Sequence, residues 1–343
     1  MNGSSQNNKP LASQMPPNSN RAIGPEKLAD TSKEKVALDF GLWRNPKLET
    51  LERAILCTVA YADVFDYPLT ADQIQRYLIG RRESLTTVGE TLKENKRPTG
   101  IACRDTYFCL SGREEIVETR RRRAQVAMST WPAAIRYGRM IAGVPFVRMV
   151  AVTGALAVDN MEKEGDIDYL VITEKNRLWL CRAMIIQWVV KPAAKRGITI
   201  CPNYLLSDHA LAQFEHNLFT AHEIVQMIPI AGLATYWDLC KANKWAADFL
   251  PNSFGHPRHM DKGQPTQITA ALVARPLLQL PLGGWLENWE RTRKIAKLKS
   301  QNGEAEEASF SADQCKGHFR GHGRHIRDAL FQRLAALDGM SVI

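Results

Sequence analysis

The sequence predicts an α+β protein, and three observations carry that prediction. Apolar residues at helical spacing dominate the first ordered third of the chain. Further on, VRMVAV (147–152) is β-branched, and a second strand opening at Asp166 runs into Leu170-Val171-Ile172, apolar on both sides, as in strands covered on each face. Between the second run and ICPNYLL (200–206) lies LWLCRAMIIQWVV (178–190), a helical stretch long enough to serve as a crossover. The whole chain has 343 residues, 45% of them hydrophobic, enough for about two domains of roughly 150 residues each.

Taken in order, residues 1–40 are rich in Asn, Ser, Pro and Gln and read as a disordered tail. Pro46 suits a first helical position, and Leu48, Leu51, Ile55 and Val59 continue with helical spacing. Thr70 and Gln73 form a capping box, so a second helix starts there and buries Ile74, Tyr77 and Leu78. A third helix is expected over residues 84–92, then a β-prone stretch, 106–110, ending at Ser111-Gly112. Three helices and a small hairpin over 41–112 outline a winged helix. This part resembles the winged-helix domains that accompany some bacterial nucleotidyltransferase-like proteins, which implies DNA as a partner through the third helix. That helix interleaves Thr86, Thr87, Lys93 and Lys96 with Glu90 and Glu94, a pattern equally suited to packing against protein.

A helical connector is expected over 113–144. Its run Arg120 to Arg123 points in all directions around a helix and reads as solvated. Arg136, Arg139 and Arg148 lie nearer the next motif and are candidates to face a triphosphate.

That motif spans 154–173. The first strand enters Thr153-Gly154-Ala155, a polar loop follows, and the second strand opens with Asp166-Ile167-Asp168. Side chains alternate along a strand, so Asp166 and Asp168 project from one face near its start. A divalent cation relieves the repulsion between two such carboxylates, and Mg²⁺ or Mn²⁺ takes hard oxygen ligands while gripping phosphates. Gly154 lets backbone N–H groups approach phosphate oxygens without a Cβ in the way.

These residues resemble the nucleotidyltransferase superfamily, the DNA polymerase beta-like fold. Its signature is a hydrophobic residue, Gly, Gly or Ser, a spacer, and Asp-x-Asp or Asp-x-Glu. Here the signature reads Thr153-Gly154-Ala155, ten spacer residues (156–165), and Asp166-Ile167-Asp168. The resemblance covers roughly residues 145–235 and implies a mixed sheet with flanking helices. By position it implies that Asp166 and Asp168 are catalytic metal ligands, and that Gly154 and Ala155 line the nucleotide's phosphates. Ala155 stands where Gly or Ser is usual. On the following strand, where the family carries a third carboxylate, the sequence offers Asn203, with Asp208 in the loop beyond. The implied activity is transfer of a nucleoside monophosphate from a nucleoside triphosphate to an acceptor: small molecule, protein or nucleic acid. The alternative is a non-catalytic nucleotide-sensing or DNA-binding regulator on the same fold.

The net charge of +9 suits an anionic partner: a nucleotide, a nucleic acid or an acidic membrane surface. Seven scattered cysteines, no signal peptide and no apolar run of ~20 residues imply a cytoplasmic protein with reduced thiols and no transmembrane segment. Residues 178–190 read as a buried core helix, with attachment to a membrane surface as the lesser alternative. His222-Glu223 opens an H-E-x-x-H pattern that Gln226 breaks. Residues 214–228 read instead as a helix with Leu218, Ala221 and Val225 inward, ended by Pro229.

The region 236–343 reads as helical, with a flexible stretch near 300–323. Its helix 285–299 is expected to pack by its tryptophan face, and residues 300–312 form a flexible acidic insert. Cys315, His318, His322 and His325 have zinc-like spacing within glycines that imply a mobile loop. A terminal helix is expected over 324–337.

Overall fold

The computed structural model describes residue 42 and residues 48–256, 281–302, 309–316 and 322–340. The tail 1–40, Pro46 and His318 lie outside the described residues. Helix α1, Leu51–Asp63, starts where the Thr50 hydroxyl accepts from the Arg53 N–H. Helix α2, Ala71–Arg76, carries the expected capping box of Thr70 and Gln73, and α3 spans Leu85–Thr91. Strands β1, Ile101–Arg104, and β2, Tyr107–Leu110, form an antiparallel hairpin.

Helix α4, Ile116–Ala142, leads into β3, Val147–Val152. The segment after β3, expected as loop, begins with a helical turn, α5, Gly154–Ala157, before β4, Ile167–Thr173. Helix α6, Leu178–Ile185, runs through a π turn, Ile186–Val190, into α7, Lys191–Ala194, and delivers the chain to β5, Ile200–Ser207. Helix α8, Leu218–Gln226, buries Leu218, Ala221 and Val225 as expected. The helix ends at Gln226, and Pro229, expected to end it, sits instead in β6, Ile228–Ala231, an edge strand, where proline is tolerated. Helices α9, Leu233–Ala242, and α10, Ala246–Phe249, follow. The turn into α9 needs Gly232, which has φ +77°, and a Cβ there would lie 2.0 Å from the Arg148 carbonyl oxygen. Further on come α11, Pro281–Asn302, β7, Ser309–Phe310, β8, Gln314–Lys316, and α12, His322–Met340.

The protein is α+β, with a mixed six-stranded sheet ordered β6-β3-β4-β5-β8-β7. Strands β4 and β5 are parallel, joined by the α6–α7 crossover, and the other neighbours are antiparallel. The β7–β8 hairpin replaces part of the expected acidic insert. It also separates the zinc-like pattern: Cys315 is a buried sheet residue opposite Leu205, while His325 is exposed on α12.

Alternation along the strands sorts their side chains into two cores. Met149, Ala151, Leu170, Ile172, Tyr204 and Leu206 pack with α1, α2, α3, α8, α9 and α12. Val150, Val152, Tyr169, Val171 and Leu205 pack on the other face with α4 and α6. The amino-terminal helices therefore share a core with one face of the sheet. On the other face, the Tyr169 hydroxyl donates to the Ala134 carbonyl at 2.6 Å and ties β4 to α4.

Candidate functional site

Asp168 has the parity of Leu170 and Ile172, so it faces the amino-terminal helices. Asp166 precedes the strand by one residue, and a carboxylate oxygen from each lies within 4.8 Å of the other and of the Cys201 sulfur. Gly154 closes the group from below. Its φ is +65°, and a Cβ on it would lie 2.6 Å from Asp168 Oδ2. The carboxylate thus occupies space that only a glycine leaves open.

Cys201 joins the aspartates without any signal in the linear motif. Ile167 pairs with Ile200 and Asp168 with Cys201, but Leu170 pairs with Tyr204, so β5 holds one extra residue opposite this part of β4. The extra residue resets the alternation of β5 and brings Cys201 to the side of the carboxylates. Pro202 sits within the irregular stretch, where a missing N–H is tolerated. Burial first, and then the charges of Asp168 and Asp166, push the Cys201 thiol up to about 12. It stays protonated at neutral pH beside the carboxylates.

These residues stand at one end of a cavity of about 500 Å³ between the sheet and the amino-terminal helices. That volume suits a small-molecule ligand. Asn203 lines it, as do Tyr61, Phe65 and Tyr67 from α1 and the loop after it, Tyr77 after α2, and Phe219, His222, Glu223 and Gln226 from α8. His222 stacks on Tyr61 with ring centroids 4.0 Å apart and hydrogen-bonds through Nδ1 to the Leu218 carbonyl. Burial lowers its pKa to about 4, so it is neutral at physiological pH. Burial likewise pushes Tyr61 well up, with the Glu223 charge adding to the effect. The Tyr77 hydroxyl is buried without a hydrogen-bond partner among the described residues, a polar atom on the cavity wall.

The spacer between Gly154 and Asp166 is held by residues far away in sequence. Tyr67 donates through its hydroxyl to the Val158 carbonyl at 2.6 Å, and Trp131 donates through Nε1 to Asp159 Oδ1 at 2.9 Å. Asn160 donates to the Phe65 carbonyl at 3.0 Å. Arg120, expected in solvent, is buried: its guanidinium donates to the Val158 and Asp159 carbonyls and lies 3.9 Å from the Tyr67 ring centroid. Arg123 reaches Glu162 in the same loop. The arginine run is therefore divided between clamping this loop and facing solvent at Arg122.

The other cationic candidates do not reach the cavity. Arg148 pairs with Glu174 at 3.1 Å and approaches Asp208 at 3.8 Å, at the opposite end of the strands from Asp166. Arg136 and Arg139 are exposed on α4 and do not line the cavity. Asp208 itself accepts from the Lys175 N–H at that far end, so it is not a third acid for the site. Glu223 is a cavity carboxylate that sequence reasoning passed over, because its signal was spent on the broken zinc pattern. Two residues after α3, Lys93 is bonded to Glu90 of that helix at 2.7 Å, which offsets its charge. Compared with protein-family models, with curated proteins and with solved structures, the chain gives no match.

Proposed function

We propose that the cavity binds a nucleoside triphosphate with a divalent cation, and that the protein transfers the nucleoside monophosphate to an acceptor. The observation that carries this reading is the convergence of Gly154, Asp166 and Asp168 at the end of an aromatic-walled cavity of about 500 Å³. The two carboxylates fit Mg²⁺ or Mn²⁺ as hard oxygen ligands. Such an ion, held by Asp166 and Asp168, supplies charge neutralisation at the phosphates.

The chain's own groups divide the remaining work. The Gly154 turn leaves room for the Asp168 carboxylate, and the backbone of Gly154 and Ala155 beside it would face the β- and γ-phosphates. Tyr61, Phe65 and Tyr67 offer an aromatic wall against which a base can lie. In the transfer, an acceptor oxygen bonds to the α-phosphorus, the bond to the bridging oxygen of the β-phosphate breaks, and pyrophosphate leaves. The acceptor's proton goes to Glu223, which lines the same cavity and can accept it.

A second reading is favoured by Cys201 and Asn203, which stand where the resembled family carries a carboxylate: a nucleotide sensor without turnover. Turnover of labelled nucleoside triphosphates with Mg²⁺ or Mn²⁺ separates the two. The enzyme reading expects pyrophosphate release that falls at least about a hundredfold in the Asp166→Ala, Asp168→Ala double variant. Nucleotide binding without turnover would leave the sensor, and absence of nucleotide binding would remove both readings.

A further inference from the structure

Helix α11 reverses the expected amphipathicity. Its tryptophans face outward, with Trp285 61% and Trp289 53% exposed, while its two acids, Glu287 and Glu290, face inward and are buried. The expected packing by the tryptophan face is thereby overturned. Glu287 draws the helix inward because it accepts from the Trp179 and Leu180 N–H groups at the start of α6. Glu290 is bonded to Arg293 at 2.6 Å.

Outward, Trp285, Trp289, Arg293 and Lys297 recur every four residues and are all exposed, forming one stripe along the helix. The stripe is aromatic at its start and cationic at its end, with a length of ~18 Å from a rise of ~1.5 Å per residue. The two indoles lie nearly parallel, 6.5 Å apart and 14° from coplanar. Arg293 lies 5.1 Å from the Trp289 ring centroid. Burial first, and then the charges of Arg182, Arg293 and Lys297, push the Lys294 pKa down against the pull of Glu290, so four cations gather here around one buried acid. Immediately before the helix, residues 268–280 contain Arg275 as their one charged residue.

We propose that the outward stripe of α11 docks on an anionic lipid bilayer surface. Indole rings favour the zone between headgroups and acyl chains, and lysine and arginine favour the anionic headgroups beside it. One helix face offering both, side by side and without an exposed acid between residues 283 and 297, matches that surface in charge and in polarity. A single-stranded nucleic acid is the less suitable partner. It would need open ring faces for its bases, and Trp289 already has Trp285 on one side along the stripe and Arg293 on the other. The stripe lies on the α6 side of the sheet, whereas the cavity lies on the α1 side, so docking and the proposed nucleotide chemistry are independent.

The test is cosedimentation of the full chain with phosphatidylcholine vesicles containing about one part in four phosphatidylglycerol, against pure phosphatidylcholine. The chain is expected to bind the anionic vesicles, release at high salt, and leave the neutral ones in solution. W285S/W289S and R293Q/K297E should each weaken binding about tenfold; a glutamine at 293 can still donate to the buried Glu290, so melting temperature is expected to change little. Failure to bind anionic vesicles, or binding that survives both double substitutions, overturns the proposal. Self-association lost in W285S/W289S, or oligonucleotide binding by these residues without vesicle binding, overturns it in favour of a second copy or a nucleic acid.

Discussion

A methyl group at position 154 would lie 2.6 Å from Asp168 Oδ2, on a residue whose φ is +65°. Gly154→Ala therefore carries two penalties: left-handed backbone strain of about 1 kcal/mol, and displacement of the Asp168 carboxylate. The expected outcome is a modest loss in urea stability with at least about tenfold weaker Mn²⁺ binding by electron paramagnetic resonance. A variant that binds Mn²⁺ like the parent would show that the close fit is incidental. His222 gives the second prediction at this scale. Its pKa is about 4 in the folded protein against 6.5 for the free side chain, because burial disfavours the imidazolium. The unfolded chain thus takes the proton first. The stabilisation is whole above about pH 6.5 and lost as pH falls towards 4, by up to about 3 kcal/mol. Urea melts across that range should show a shallower pH dependence in His222→Gln, and equal slopes would count against it.

At the scale of elements, α6 begins without a cap of its own: Arg177 makes no side-chain hydrogen bond to the helix start. Its open N–H groups on Trp179 and Leu180 are met by Glu287, at 3.0 and 2.7 Å. Burial raises the Glu287 pKa even though these bonds pull it down. Glu287→Ala is expected to cost about 2 kcal/mol in a denaturant melt, because two buried donors lose their acceptor. A change near zero would mean that water replaces the carboxylate. Such a cap was not legible in the sequence, since its two halves are more than a hundred residues apart. The T-x-x-Q box of α2 was legible, because Thr70 and Gln73 lie within one turn of each other.

At the scale of the molecule, the segment that resembles a nucleotidyltransferase core is not self-sufficient. Strand β5 is completed by β8, and one face of the sheet shares its core with α1 and α12. The loop leading to Asp166 is clamped from outside by Tyr67, Arg120 and Trp131. Residues 145–235 expressed alone are therefore expected to lack a cooperative thermal transition and to bind an apolar dye. A sharp melt for that fragment would contradict the shared core. The two cavity walls likewise come from distant stretches, so the aromatic wall had no linear signature, whereas the Gly154 and Asp166–Asp168 pair did.

What the sequence determined by itself is periodic or local: the α+β class, the strand at 147–152 and the one expected from Asp166, which starts one residue later, the capping box, and the shared face of Asp166 and Asp168. Each follows from side chains a few residues apart, where helix and strand periods act. Tertiary structure decided what depends on register and on which surface is covered. One extra residue in β5 put Cys201 beside the aspartates. A buried Glu287 turned the tryptophans of α11 to solvent, because satisfying a carboxylate and two N–H groups outweighed hiding two indoles that tolerate an interface.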